Sequence, residues 1–102
     1  MKDYSAMSDY LINKQVAESL TGRYLYFSDY VWDSEEEVRF NPCNYPADAW
    51  PIIYVNGISI GIYGYGEWGA GTVNHNHVDG VNPLRSAMIV YLMMKDAEKC
   101  DG

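Results

Sequence analysis

The sequence predicts an α+β domain with a small, mainly antiparallel sheet packed by two longer helices and one short helix. Three observations carry this. Apolar residues recur at helical spacing from Ile12 to Leu20 and from Leu84 to Leu92, each run opened by residues suited to capping. The segments Arg23 to Phe40 and Ile58 to Ile62 carry the aromatic, β-branched and alternating pattern of strands. No regular strand–helix–strand alternation calls for a parallel sheet. The 102 residues suit a single domain over 1–102, with no repeat and no interdomain linker. A hydrophobic share of 48% against 21% charged is the composition of a folded chain, far from that of a disordered one.

The first helix is announced by Met7-Ser8-Asp9. A serine N-cap accepts the free amide hydrogens of the first turn, and Asp9 complements the positive end of the helix. Met7 and Ile12 fit a hydrophobic staple, and Ile12, Val16 and Leu20 follow on one face until Gly22 offers a left-handed stop. From Arg23 to Phe40 the pattern predicts one or two strands and a hairpin, with Asp33 to Glu37 as polar turn material. That turn has neither Asn-Gly nor Asp-Gly, so its geometry and register stay open.

Asn44, Pro46 and Gly57 read as cap, first-turn proline and C-terminal stop of a short helix from about Pro46 to Val55. Pro51 leaves an alternative, two turns meeting at a kink, if it falls beyond the first turn. Trp50 is expected in one core with the Leu84 stripe. Ile58, Ile60 and Ile62 then alternate with Ser59, Gly61 and Tyr63 as a half-buried strand. Gly64, Gly66, Gly69 and Gly71 break the pattern and lead past Asn74 to Gly80, which reads as a long flexible connection. Asn82-Pro83 opens the last helix, whose core stripe is Leu84, Ala87, Met88, Tyr91 and Leu92, with Lys95 and Lys99 toward its negative pole.

Charge narrows the partners. Seven Lys+Arg against fourteen Asp+Glu give 7 − 14 = −7, which sets the chain against nucleic acid and anionic membranes. The longest apolar run, Ala87 to Met94, is far short of the roughly twenty residues of a membrane helix, and no basic stretch plus apolar run opens the chain. A soluble, unexported protein is expected. Cys43 and Cys100 then lie in a reducing compartment as structural or bystander thiols.

No motif names a reaction. His75 and His77 with Asp79 have a spacing that suits a divalent metal, but two histidines in a glycine-rich segment lack a third protein ligand and a rigid support. No metal and no cofactor are expected. Gly64-Tyr65-Gly66-Glu67-Trp68-Gly69 carries Glu67 where a phosphate cradle needs a cation. Serine, histidine and aspartate occur in no order that resembles a triad or a nucleophile elbow. Asp48 and Arg85 stand out as an opposite-charge pair, each in the first turns of a helix, and with Trp50 they outline a candidate pocket. Arg85 opposes the helix dipole there and so calls for a carboxylate partner.

Aromatic residues make up 15% of the chain, and its ten tyrosines exceed what one small core holds with every hydroxyl satisfied. Some must reach the surface, either half buried over the sheet or as contact residues. Glu35, Glu36 and Glu37, with Asp29 and Asp33 nearby, form an acidic run that steers a basic protein, and Tyr65 and Trp68 on the glycine-hinged loop offer rigid contact area.

Three sets of residues carry a family resemblance: Ser8-Asp9 with Ile12-Asn13-Lys14 and Val16-Ala17-Glu18; Asn41-Pro42-Cys43-Asn44 running into Pro46-Ala47-Asp48-Ala49-Trp50-Pro51-Ile52-Ile53; and Asn82-Pro83-Leu84-Arg85 into Ala87-Met88-Ile89-Val90. In these the chain resembles the NinX family of phage proteins, found in lambdoid phages and prophages. The resemblance implies a phage accessory product acting in the bacterial host cytoplasm, and it brings no catalytic residue with it. The expectation is a non-enzymatic binder of a host or phage protein that inhibits a host antiviral defence complex, an anti-CRISPR candidate among others. The alternative is a small enzyme or ligand-binding domain with its pocket near Asp48, Trp50 and Arg85. A DNA mimic fits less well, because the acids gather in one turn instead of forming a long double row.

Overall fold

Residues 3–20, 22–63, 66–72 and 77–100 are described by a computed structural model, with Tyr63, Lys99 and Cys100 as backbone only. After a 3-10 turn at Tyr4–Ala6, the order is α1 (Asp9–Ser19), β1 (Tyr24–Tyr26), β2 (Val31–Asp33), β3 (Val38–Phe40), α2 (Pro46–Asn56), β4 (Ser59–Tyr63), β5 (Glu67–Gly71), β6 (His77–Asp79) and α3 (Pro83–Cys100). The α+β class stands. The strands form two antiparallel sheets instead of one, in the orders β1-β2-β3 and β4-β5-β6.

α1 starts as its sequence requires. The Ser8 hydroxyl accepts the Leu11 N–H at 3.2 Å, and Ile12, Val16 and Ala17 are buried with Met7 partly covered beside them. The helix stops short of Gly22, however. Ser19 donates its hydroxyl to the Val16 carbonyl at 2.6 Å and Leu20 turns extended, which ends the helix, while Gly22 takes φ +99° in the link to β1.

Between Arg23 and Phe40 lie three strands, one more than expected, because Phe27 to Tyr30 already make a turn in which the Phe27 N–H bonds the Tyr30 carbonyl. The trios Tyr24–Asp33–Val38 and Tyr26–Val31–Phe40 align across the sheet on one face, and Leu25–Trp32–Arg39 on the other. Asp33 is the end of β2, not turn material. It is buried because its carboxylate organises the turn that follows, accepting the Glu35 and Glu36 N–H groups at 3.0 and 3.1 Å.

α2 runs through Pro51 without a break, so the kinked alternative is not taken; the ring lies on the exposed side. Tyr45, not Asn44, holds the N-cap position. Gly57 ends the helix at φ +64°, with its N–H on the Tyr54 carbonyl and the Ile58 N–H on the Ile53 carbonyl, the paired bonds of a left-handed stop.

The stretch expected to be a flexible connection supplies β5 and β6 instead. Gly69, Ala70 and Gly71 are buried, and Ala70 packs in the core on the face it shares with its partners Ile60 and Val78, with β5 against α3. Trp68 is therefore held on a strand opposite Ile62. Tyr65 and His75 lie outside the described residues.

α3 is the centre of the fold. Asn82 caps it, its side-chain Oδ1 accepting the Leu84 and Arg85 N–H groups at 3.0 and 3.2 Å. Every residue from Ser86 to Leu92 is buried, a far wider face than the expected stripe, because α1, α2 and the second sheet all pack on it. The N-terminal turn is tied to its far end by a hydrogen bond from the Tyr4 hydroxyl to Asp96.

Candidate functional site

The Asn41-Pro42-Cys43-Asn44 motif is a polar knot joining three elements. Buried Asn13 of α1 donates to the Asn41 side-chain carbonyl at 2.8 Å and accepts the Cys43 N–H at 3.1 Å. Asn82 donates to the Cys43 carbonyl at 2.7 Å, and Asn44 donates to Asp9 at 3.1 Å. Arg85 completes the knot. One guanidinium nitrogen meets Asp9 Oδ1 at 2.6 Å, and the other donates to the Met7 carbonyl at 2.6 Å and to those of Ser5 and Tyr4 at 3.3 and 3.4 Å. The expected pairing of Arg85 with Asp48 is therefore not made. Arg85 needed a carboxylate, and the start of α1 supplies it.

Cys43 sits fully buried inside this knot. Burial pushes its thiol up to about 12, with the Asp9 carboxylate adding to the shift and Arg85 opposing it. A nucleophilic role is unsuited to such a group. In a Cys100→Ser background, Cys43 should resist a thiol reagent at mildly alkaline pH in the native protein and react once urea is added. Because its folded pKa is raised, the unfolded chain loses the proton first. The thiol's contribution should thus be intact below pH 9 and fall as pH rises toward 12.

α2 presents the feature that sequence reasoning missed. Its inner face buries Ala49, Ile52 and Ile53. Its outer face is apolar as well: Trp50 is 61% exposed, Tyr54 74% and Val55 78%, with Ala47 and Pro51 exposed between them. Positions 47, 50, 51, 54 and 55 form one continuous helical stripe. The Trp50 and Tyr54 rings lean together with centroids 6.2 Å apart. Trp50 is consequently a surface residue and not part of the core. The signal was a helix with a single charged residue, Asp48, which sequence alone reads as buried all round.

Beside the stripe lies a groove of about 540 Å³ between α2 and the first sheet, with Pro51 and Val55 on one side and Tyr24, Val38 and Phe40 on the other. Arg23 and buried Asp33 pair within it at 2.8 Å, and Arg23 also reaches Glu35 at 3.3 Å. Burial raises the Tyr24 phenol above its ordinary range against the pull of Arg23. Asp48 faces the groove and accepts the Asn41 N–H at 2.9 Å. Of Asp48, Trp50 and Arg85, then, only Asp48 lines this groove.

The remaining candidates fall apart spatially. Glu35, Glu36 and Glu37 are exposed on the β2–β3 turn, Glu37 at φ +58°, and Glu36 borders the α2 groove. Trp68 belongs to the second sheet, 40% exposed, opposite Ile62 at 60%. His77 and Asp79 pair with each other at 2.6 Å on β6.

Among the described residues no three His, Cys, Asp or Glu side chains gather as a metal site, and no helix is long and apolar enough to cross a membrane. No curated protein and no solved structure matches this chain. Residues 3–95 match the sequence profile of the family described as Bacteriophage P22, NinX, a span that takes in α1, both sheets, the knot around Cys43 and all but the end of α3. The chain belongs to the NinX family of bacteriophage proteins.

Proposed function

We propose that this NinX-family protein acts by binding a host protein in the bacterial cytoplasm, inhibiting an antiviral defence complex, and that α2 is its docking element. One observation supports the reading above all: a helix on the surface turns Trp50, Pro51, Tyr54 and Val55 to solvent as a contiguous stripe. Exposed apolar patches of this kind mark interaction sites, and tryptophan and tyrosine are the residues that most often carry binding energy. The acidic turn beside it adds long-range attraction for a basic partner, and the phage family supplies the cellular setting.

The test is affinity capture from infected cells, with the protein and its Trp50→Ala/Tyr54→Ala variant side by side. A host protein retained by the first and lost by the second supports the reading. Identical captures would remove α2 as the site, and no specific capture would remove the binding function.

Two expectations follow from the geometry. Trp50→Ala should leave stability within about 0.5 kcal/mol, as for other surface substitutions. On the isolated partner it should speed dissociation by about 2 kcal/mol or more. Charge reversal at Glu35, Glu36 and Glu37 should instead slow association and flatten its salt dependence, with dissociation little changed, because exposed rim charges act at long range. Surface plasmon resonance separates the two effects.

A further inference from the structure

We infer that the segment held on α2 is a basic amphipathic helix, its apolar face on the stripe and a lysine or arginine side chain in the adjoining groove; the inference rests on the docking role proposed above for α2. Stripe and groove are one surface, since Pro51 and Val55 belong to both. A ligand lying on the first reaches the second.

The groove selects charge. Val38, Phe40 and Ile52 make part of its lining apolar, which suits the hydrocarbon stem of a long side chain. At its charged edge Arg23 pairs with Asp33 at 2.8 Å and with Glu35 at 3.3 Å, while its Nε is buried without a hydrogen-bond partner among the described residues. This leaves Glu36 and Asp48, which have no cationic partner among the described residues. Asp48 gives one oxygen to the Asn41 N–H, and Glu36 stands exposed on the turn. A cation on an apolar stem suits both the apolar lining and the two carboxylates, whereas an anion is repelled by Glu36 and Asp48 and a neutral chain leaves them without a cation.

The stripe selects shape. Its residues follow the ridges of α2, whose length of about 16 Å offers the ridge-and-groove surface that another helix packs against. A second copy of this chain is a poor occupant, because two such faces would bring like carboxylates together in a protein of net charge −7.

The experiment uses the full chain and two fluorescent helical peptides with the same leucine stripe, one flanked by lysines and one by glutamates, read by anisotropy across a salt series. The lysine peptide should bind, and the glutamate peptide should bind about tenfold or more weakly. E36Q with D48N, which keeps an oxygen for the Asn41 N–H, should weaken the lysine peptide by about tenfold and flatten its salt dependence. E36Q alone, on an exposed side chain, serves if the double variant melts early. Trp50→Ala should weaken the lysine peptide as well.

Equal binding of both peptides, or no effect of the carboxylate variants, overturns the cationic occupant while leaving α2 as a docking helix. Unchanged binding to Trp50→Ala overturns the inference and the docking role together. No binding of the lysine peptide overturns the inference alone, since affinity capture judges the docking role separately. Self-association of the free protein that Trp50→Ala abolishes, seen by sedimentation, makes a second copy the occupant and overturns the basic helix.

Discussion

Replacing Met88 with alanine should cost roughly 2–5 kcal/mol of stability, the usual range for truncating a fully buried side chain of this size. Met88 has no exposed surface and lies within the run from Ser86 to Leu92 in which α3 is covered on every side. With α1 and α2 packed on this helix and the second sheet also against it, no single neighbour can move in without disturbing another. The cavity should therefore stay largely open, placing the loss toward the upper part of the range. Met88→Leu keeps the volume and should cost less than about 1.5 kcal/mol. Urea denaturation decides it, with the slope of the transition unchanged if only stability has moved. A loss under about 1 kcal/mol would mean that α3 is not the packed centre, or that the core there collapses freely.

Features set by a few neighbouring residues were legible in the sequence. Ser8, Gly57 and Asn82 act as read, because these caps and this stop are decided within one helical turn, whereas α2 takes Tyr45 instead of Asn44 as its N-cap and α1 ends before Gly22. Features set by distant packing were not. Gly69 and Gly71 look like loop residues, and only the burial of Ala70 between them, paired with Ile60 and Val78 against the core, makes the segment a strand. Trp50 looks like core because apolar content says nothing of which side of a helix meets another element. Asp33 belongs to a run of acids, and only the pairing with Arg23 and the two turn amides marks it as the buried one. The need of Arg85 for a carboxylate was readable from its place at a helix start, but its partner lies 76 residues away and is found only by folding the chain.

That partner makes Arg85→Ala the other large effect. Removing the guanidinium strands Asp9 Oδ1 and the carbonyl of Met7, each held at 2.6 Å, along with the longer bonds to Ser5 and Tyr4. Hydrogen bonds to a charged group contribute about 1.5–3 kcal/mol each when buried, but Asp9 is 43% exposed and water replaces part of what it loses. A net loss of about 2–3 kcal/mol is expected. Arg85→Lys should recover less than half of it, because a single ammonium cannot reach Asp9 and the carbonyls of the 3-10 turn from opposite edges as a planar fork does. The loss should also be local in origin. The N-terminal turn and the start of α1 are what Arg85 holds against α3, so amide exchange should accelerate first at Met7 to Ile12 and leave Ser86 to Leu92 protected. A double-mutant cycle of Asp9→Ala with Arg85→Ala then separates the ion pair from the carbonyl bonds. Coupling of about 0.5–3 kcal/mol is the expected result for partners in one network. Strict additivity would show that Arg85 stabilises through the backbone carbonyls alone, and that the charge on Asp9 matters only to the dipole of α1 and to Asn44.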